Sequence, residues 1–437
     1  MILRSRRVAL PDGLWPASIQ VQDGRVQGVA DYSEPGIDAL DAGDLVVFPG
    51  LVDTHVHINE PGRADWEGFS TATRAAAAGG VTTLVDMPLN SVPATTTVDG
   101  LHRKRDAATG TCHVDVAFWG GVVPGNAAEL EALVRGGVRG FKCFLSPSGV
   151  DEFQHVGSDD LRLAMPILSH LGVPLLAHAE LPALLRDPSG DPRRYATWLH
   201  SRPPAAETAA IDLLLRLAGE FSTRLHIVHL ATAEALPSLT AARKGGAAVT
   251  VETCPHYLTF AADDIPDGAT LLKCAPPIRA AAEREQLWRA LIDGEIDMVA
   301  TDHSPAPPSL KHVESGNLVS AWGGIASLQL GLIAVWSGAQ ARGVPVHALS
   351  RWMSAAPARL AGFYPRKGVI APGADADFVI WDPDDETSVD ARTLYHRQAV
   401  TPYHGCRLRG RVRTTILRGQ IVFDDGECRG PAGGRCL

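Results

Sequence analysis

An α/β fold, a (β/α)8 barrel with a small β-sandwich domain built from both chain ends, is what this sequence predicts, on three observations. Short apolar runs recur through the middle of the chain, and each is followed by a segment of helical patterning. The runs are continuously apolar rather than alternating, as parallel strands covered on both faces are. The flanks read instead as alternating strands and turns, and 437 residues suffice for one large barrel with a smaller appendage. An open doubly wound sheet is the alternative, because a single misread strand would permit it.

Taken in order, residues 1–47 and 365–437 are assigned to the β-domain and 48–364 to the barrel. In the first flank, "ASIQVQDGRVQGVA" sets Asp23-Gly24 between alternating apolar residues, which signals a hairpin. Barrel strands are expected in "LVVFPGLVDTHVH", "VTTLVDMP", "VDVAFWGG", "VRGFKCFL", "VPLLAHAE", "RLHIVHL", "AAVTVETCPHY" and "IDMVATDHSP". Helices are expected between them, from "DWEGFSTATRAAAAGG" through "AAETAAIDLLLRLAGEF" to "WGGIASLQLGLIAVW". Several end in Gly-Gly or Leu-Gly, which suits a left-handed position after the last turn. The second flank, with "GVIAPGADADFVIWDPD" and "GRVRTTILRGQIVFDDGE", returns to strand-and-turn material.

Bulk composition narrows the function classes. Apolar residues make up 45% and charged residues 20%, a globular balance with a sizeable core. A net charge of −9 argues against nucleic acid or an anionic membrane as the main partner. No run approaches the ~20 apolar residues of a membrane span. The opening segment has basic residues without an apolar stretch behind them, so no secretory signal is expected. Seven cysteines without a C-x-x-C pair read as small buried reduced thiols, as in "FKCFL" and "LLKCAPP". A cytoplasmic location follows as the expectation.

In a barrel of this kind, chemistry belongs at the C-terminal ends of the strands. His55 and His57, two residues apart, project from one face of the first strand. They are either a metal site or a solvated polar strand end. The fourth strand carries Lys142, the fifth ends in His178, the sixth in His229 and the eighth in Asp302. The convergence of six such residues on one rim favours the metal reading. His226 falls on the other face of its strand and reads as packing or hydrogen bonding. His155, His256 and His303 are further candidates for the pocket. A free ammonium at Lys142 is costly among apolar neighbours and among imidazoles aimed at cations. Reaction with CO2 would turn it into an anionic carbamate ligand; pairing with Asp302 or snorkelling to the rim is the alternative.

The set "VDTHVH", "FKCF", "LLAHAE", "IVHL" and "VATDHSP" resembles the binuclear cyclic amidohydrolases of the amidohydrolase superfamily, over nearly the whole chain. The resemblance implies two divalent ions, nominally Zn2+ with Co2+, Mn2+ or Fe2+ as alternatives. It implies that His55, His57 and Asp302 bind one ion, that His178 and His229 bind the other, and that Lys142, carboxylated, bridges them. Within the family, "HINEPGRADWEGFSTATRAAAAGG", "ETCPHYLTF", "LLKCAPPIR" and "AWGGIASLQ" look most like the allantoinases. Dihydroorotases have an arginine two residues after the second histidine to hold a carboxylate; this chain has Asn59 there, with Arg63 further on in the turn. Hydantoinases and dihydropyrimidinases have a different stretch in place of "NEPGR" and a tyrosine shortly after the bridging lysine, where this chain has "LSPSG". They are the alternative, followed by a catalytically silent assembly protein.

The activity so implied is hydrolysis of the cyclic amide of allantoin to allantoate, with Asp302 as general base and then acid. Candidate substrate contacts are Asn59, Asn90, Ser146, His256, Ala275, Ser304, Trp322 and Gly323, with backbone contacts expected at Ala275 and around "SAWGG". The loop "HSPAPPSLKHVESGN" is long enough to cover the site. The resemblance also implies a homotetramer.

Overall fold

A computed structural model describes residues 1–32 and 39–437. Two parallel ribbons make the barrel. One contains Leu51–Val56, Val81–Asp86 and Asp115–Phe118; the other runs through Gly120–Gly121, Phe141–Phe144, Leu175–His178, Leu225–Ile227, Val249–Thr253 and Met298–Val299. The third expected strand kinks at Trp119 and serves both ribbons. Closure comes from a bridge between Val56 and His303, with the His57 amide donating to the His303 carbonyl at 2.8 Å. Helices cover the outside, and three of them stop at Gly137, Gly172 and Gly294 in the left-handed conformation expected of such ends. Among the described residues no helix is long and apolar enough to cross a membrane.

The second body is one nine-stranded sheet, mostly antiparallel, closed over its own apolar interior of Leu3, Val8, Ile19, Val26, Val47, Phe378, Ile380 and Ile416. The hairpin at Asp23-Gly24 is present. Both residues have positive φ, 52° and 74°, the geometry of the two-residue turn that matches strand twist. The chain ends meet where Val46–Pro49 pairs antiparallel with Phe378–Trp381.

Two expected elements are redrawn. The first apolar run is cut at Gly50, so that Val46–Pro49 lies in the outer sheet and Leu51 opens the barrel. A Cβ at Gly50 would lie 2.2 Å from Thr82 Oγ1, so the crossing point admits no side chain. The expected boundary after residue 47 thus falls inside a strand. The helix expected from Trp322 begins its α-helical turns only at Gly331. Gly324 holds a φ of 125°, and the Ser327 and Leu328 amides donate to His303 Nδ1 at 3.1 and 3.2 Å. Residues 322–324 therefore line the pocket, while Ile325 bridges to His303.

A buried ionic seam joins the two bodies. Lys367 Nζ donates to Asp115, the first residue of its barrel strand, at 2.8 Å and to Asp377 at 2.6 Å. Arg418 donates to Asp115 at 2.5 Å. Each buried charge here has an opposite charge in contact, as burial demands.

Candidate metal centre and substrate pocket

The strands deliver their polar residues to one rim, and tight backbone geometry aims them. His229 and Asp302 both leave their strands with positive φ, 40° and 46°, a conformation uncommon outside glycine that clusters at functional sites. His55 Nε2 and His57 Nε2 lie 3.1 and 3.3 Å from Asp302 Oδ1. His178 Nδ1 faces His229 Nε2 at 3.0 Å, and the His55 and His229 rings are 5.4 Å apart. All five side chains, together with Lys142, are buried.

Carboxylates behind the imidazoles set which nitrogen is free. His55 Nδ1 is bonded to Glu252, and His178 Nε2 to Glu180 at 2.6 Å. A carboxylate accepts, so those ring nitrogens carry the proton and His55 Nε2 and His178 Nδ1 keep lone pairs for the rim. Glu252 also takes His226 Nε2 at 3.1 Å, so that His226 is engaged in hydrogen bonding, one of the two roles expected of it. Glu180 is held in turn by Arg202, at 2.6 Å from Nη2. Burial opposes charge on both glutamates, yet their basic partners bring each carboxyl down to about 2. Burial likewise opposes charge on Asp302, but His55, His57 and His229 hold it well below the usual carboxylate range.

Lys142 is the one cationic group of the rim left without a hydrogen bond among the described residues. Its Nζ has no hydrogen-bond partner and sits 4.9 Å from the Phe144 ring, which stacks on His178 at 4.5 Å. Burial pushes its pKa down to about 8. The expected alternatives, pairing with Asp302 or snorkelling outward, are not what the side chain does. His229 Nδ1 is also without a partner. Lone pairs converging on one point beside an orphaned amine form a donor set chemically suited to divalent ions.

Above this floor lies a cavity of about 280 Å3. Of the expected contacts, Asn90, Ala275, Ser304, Trp322 and Gly323 line it. Asn90 Nδ2 approaches His57 Nδ1 at 3.4 Å. Five expectations are corrected. Asn59, with a φ of 66°, turns its amide under the Pro305 carbonyl at 3.4 Å, and Ser146 is buried away from the wall. His256 packs on Tyr257 at 4.2 Å with neither ring nitrogen bonded, outside the lining. His303 is committed to Glu67 at 3.1 Å through Nε2 and to two backbone amides through Nδ1, so it cannot carry protons for the pocket. His155 is exposed.

Sequence reasoning missed Glu180, Arg202, Glu252, Trp198 and Lys273. A signal existed for two of them. Glu180 sits two residues after His178, and Glu252 is a carboxylate inside an apolar strand, where an unpaired one would be expensive. Arg63 contributes no free charge, since it bonds the Asn90 carbonyl at 2.9 Å and pairs with Glu152.

Residues 46–422 match the model of the amidohydrolase family, and the chain belongs to that family. It is 49% identical to the allantoinase of Streptomyces avermitilis, over 99% of this chain and 97% of that one. The allantoinase of Arabidopsis thaliana is 44% identical, over 97% of this chain and 88% of its own. Among solved structures, the L-hydantoinase (dihydropyrimidinase) of Arthrobacter aurescens superposes with a TM-score of 0.95 at 31% identity, covering 99% of this chain and 98% of that one.

Proposed function

We propose that the chain hydrolyses one ring amide bond of allantoin to give allantoate. The observation that carries the chemistry is the buried, unpartnered Lys142 amine facing the convergent donors of His55, His57, His178, His229 and Asp302. Near full-length likeness to proteins named allantoinases selects the substrate within the family.

His55, His57 and Asp302 would hold one divalent ion and His178 and His229 a second, with Lys142 bridging as its carbamate after taking up CO2. Zn2+ suits imidazole and carboxylate donors, with Co2+, Mn2+ and Fe2+ as alternatives. When bound, such ions supply Lewis acidity to the ring carbonyl and acidify the attacking water. Asp302 takes the proton from that water and returns it to the leaving ring nitrogen. The hydroxyl ends on the carbonyl carbon, the ring C–N bond breaks, and the new carboxylic acid sheds one proton to solvent. Glu252 and Glu180 keep His55 and His178 in the required tautomers. The backbone of Ala275 and Gly323, unpaired among the described residues, meets the donor and acceptor edges of the ring amide, while Asn90, Ser304 and Trp322 complete the wall. The pocket's cations are already engaged, Arg202 by Glu180 and Lys273 by backbone carbonyls, as a neutral ureide requires.

The test is a turnover screen. Allantoin should be opened with one proton released per turnover, and dihydroorotate left nearly untouched. Fast dihydroorotate turnover without allantoin activity overturns the assignment. Hydantoin or dihydrouracil as the best substrate would favour the second reading, to which the L-hydantoinase likeness lends weight. A silent assembly role is disfavoured because all six ligand positions are filled. We further propose a cytoplasmic homotetramer, to be checked by native mass and cell fractionation.

A further inference from the structure

Lys273 and Lys311 are buried amines that meet no carboxylate among the described residues. Lys273 Nζ donates to the carbonyls of Val319 at 2.9 Å and Ala321 at 2.6 Å, and lies 4.1 Å from the Trp198 ring centre. Lys311 Nζ donates to the carbonyls of Trp322, at 3.1 Å, and Gly324. Both lysines therefore grip one short segment, Val319–Gly324, from two sides. Burial pushes Lys273 down to about 8, with the Arg202 charge adding to the shift, and Lys311 to about 7, with Lys273 adding to the shift.

Hydrogen-bond accounting along the segment shows what the grip leaves over. The Val319 and Ser320 amides donate to Asn317 Oδ1 at 3.0 and 3.1 Å. Those of Ala321, Trp322 and Gly324 donate to the carbonyls of Asn317, Leu310 and Lys273 at 3.0, 2.8 and 2.8 Å. Among the described residues Gly323 alone in this segment has no partner for its N–H, and its carbonyl has none either, at a point where it lines the cavity. The Trp322 side chain is meanwhile held edge-on against Trp66, ring centres 5.0 Å apart.

We propose that Lys273 and Lys311 are positioning residues for substrate binding, which together lock Val319–Gly324 so that the Gly323 amide meets the ring-amide edge of a cyclic ureide. The inference rests on the reading of the pocket as a cyclic-ureide site. Its physical basis is the narrow distance range of an N–H···O contact. Without the lysines, four carbonyls of the segment lose their donors, and the segment shifts to regain them.

Lys273→Met and Lys311→Met keep the stem and remove the donors. Each should raise KM for allantoin about 5- to 20-fold, the worth of one or two hydrogen bonds. Turnover should stay within about threefold and metal content should match the wild type, since neither lysine acts in the transition state. The double variant should cost less than the product of the singles, because both act on one segment. Unchanged KM with a lowered melting temperature would make the lysines merely structural and overturn the proposal, as would joint loss of metal and turnover. Should Lys311→Met fail to fold, Lys273→Met at the cavity wall carries the test alone. If the wild type opens hydantoin but not allantoin, the substrate assignment fails separately. The KM split is then read on hydantoin, which presents the same ring-amide edge.

Discussion

Among the described residues three buried groups have the ligand types and spacing to hold a cation, two of them sharing Asp302, and the two separate locations, rim and seam, solve the problem of buried charge in opposite ways. At the seam, Asp115, Asp375 and Asp377 converge as closely as His55, His57 and Asp302 do at the rim. The seam is filled by the protein itself: Lys367 reaches all three carboxylates, at 2.8, 3.3 and 2.6 Å, and Arg418 adds a second cation. At the rim the nearby lysine, Lys142, has no hydrogen bond at all, and His229 Nδ1 is bare. Closely grouped acidic and imidazole ligands are therefore not enough to mark a metal centre. What separates the two is whether the protein completes its own bonding. A closed network holds two bodies together; an open one awaits a ligand.

The sharpest way to break this comparison is Lys142→Ala. If its carbamate bridges two ions, the variant should lose most of its metal and at least ~10^4-fold in turnover, more than the loss of a proton-transfer group alone. A small carboxylic acid added with metal should restore part of the activity. Full activity with two bound ions would make the open lysine structural. Next in size is Asp302→Asn, which keeps the shape and one oxygen but cannot take a proton. It should retain much of its metal while kcat falls ~10^2–10^4-fold and KM moves little. Metal content and kcat measured on one preparation decide it; a drop of less than about tenfold assigns the proton to another group.

Glu252→Gln sharpens the contrast from behind the rim. It weakens the hold on the His55 tautomer, and metal affinity or activity should fall ~10–100-fold. Titration with a chelator reads the change, and an unaltered affinity would show that His55 needs no such partner. The smallest effect on catalysis belongs to the seam. Lys367→Met leaves Asp377 without its ion-pair partner beside Asp115 and Asp375, so stability should drop by ~3–5 kcal/mol while KM and kcat of the folded fraction remain within about twofold. A Lys367→Met protein that melts like the wild type, or binds an additional ion at the seam, would erase the distinction between the clusters.

Much of the rim was legible in the linear sequence because each donor ends an apolar run. The pair His55 and His57 obeys the period of a strand, and Lys142 interrupts "FKCF" where an amine has no local reason to be. The Asp23-Gly24 hairpin was equally local. Asn59 and His303 were misplaced because orientation within a loop depends on partners far along the chain. His303 turns to Glu67, 236 residues away in sequence, and Asn59 to Pro305, 246 residues away. No periodicity reports such distances.

What the sequence determined by itself was the alternation that builds the barrel, the strand ends that carry the donors, and the chemistry those donors can do. These are matters of local pattern and residue type, and a strand's period is fixed by its backbone. What only the tertiary structure decided was which of those groups remain unpaired. It brought Glu252 to His55 across 197 residues, Lys367 to Asp115 across 252, and two lysines to one short segment beside the pocket, while leaving Lys142 and the Gly323 amide without a partner. The reason is physical: a polar group's burial and bonding belong to its whole surroundings, and those are assembled from strands and loops that the chain order keeps far apart.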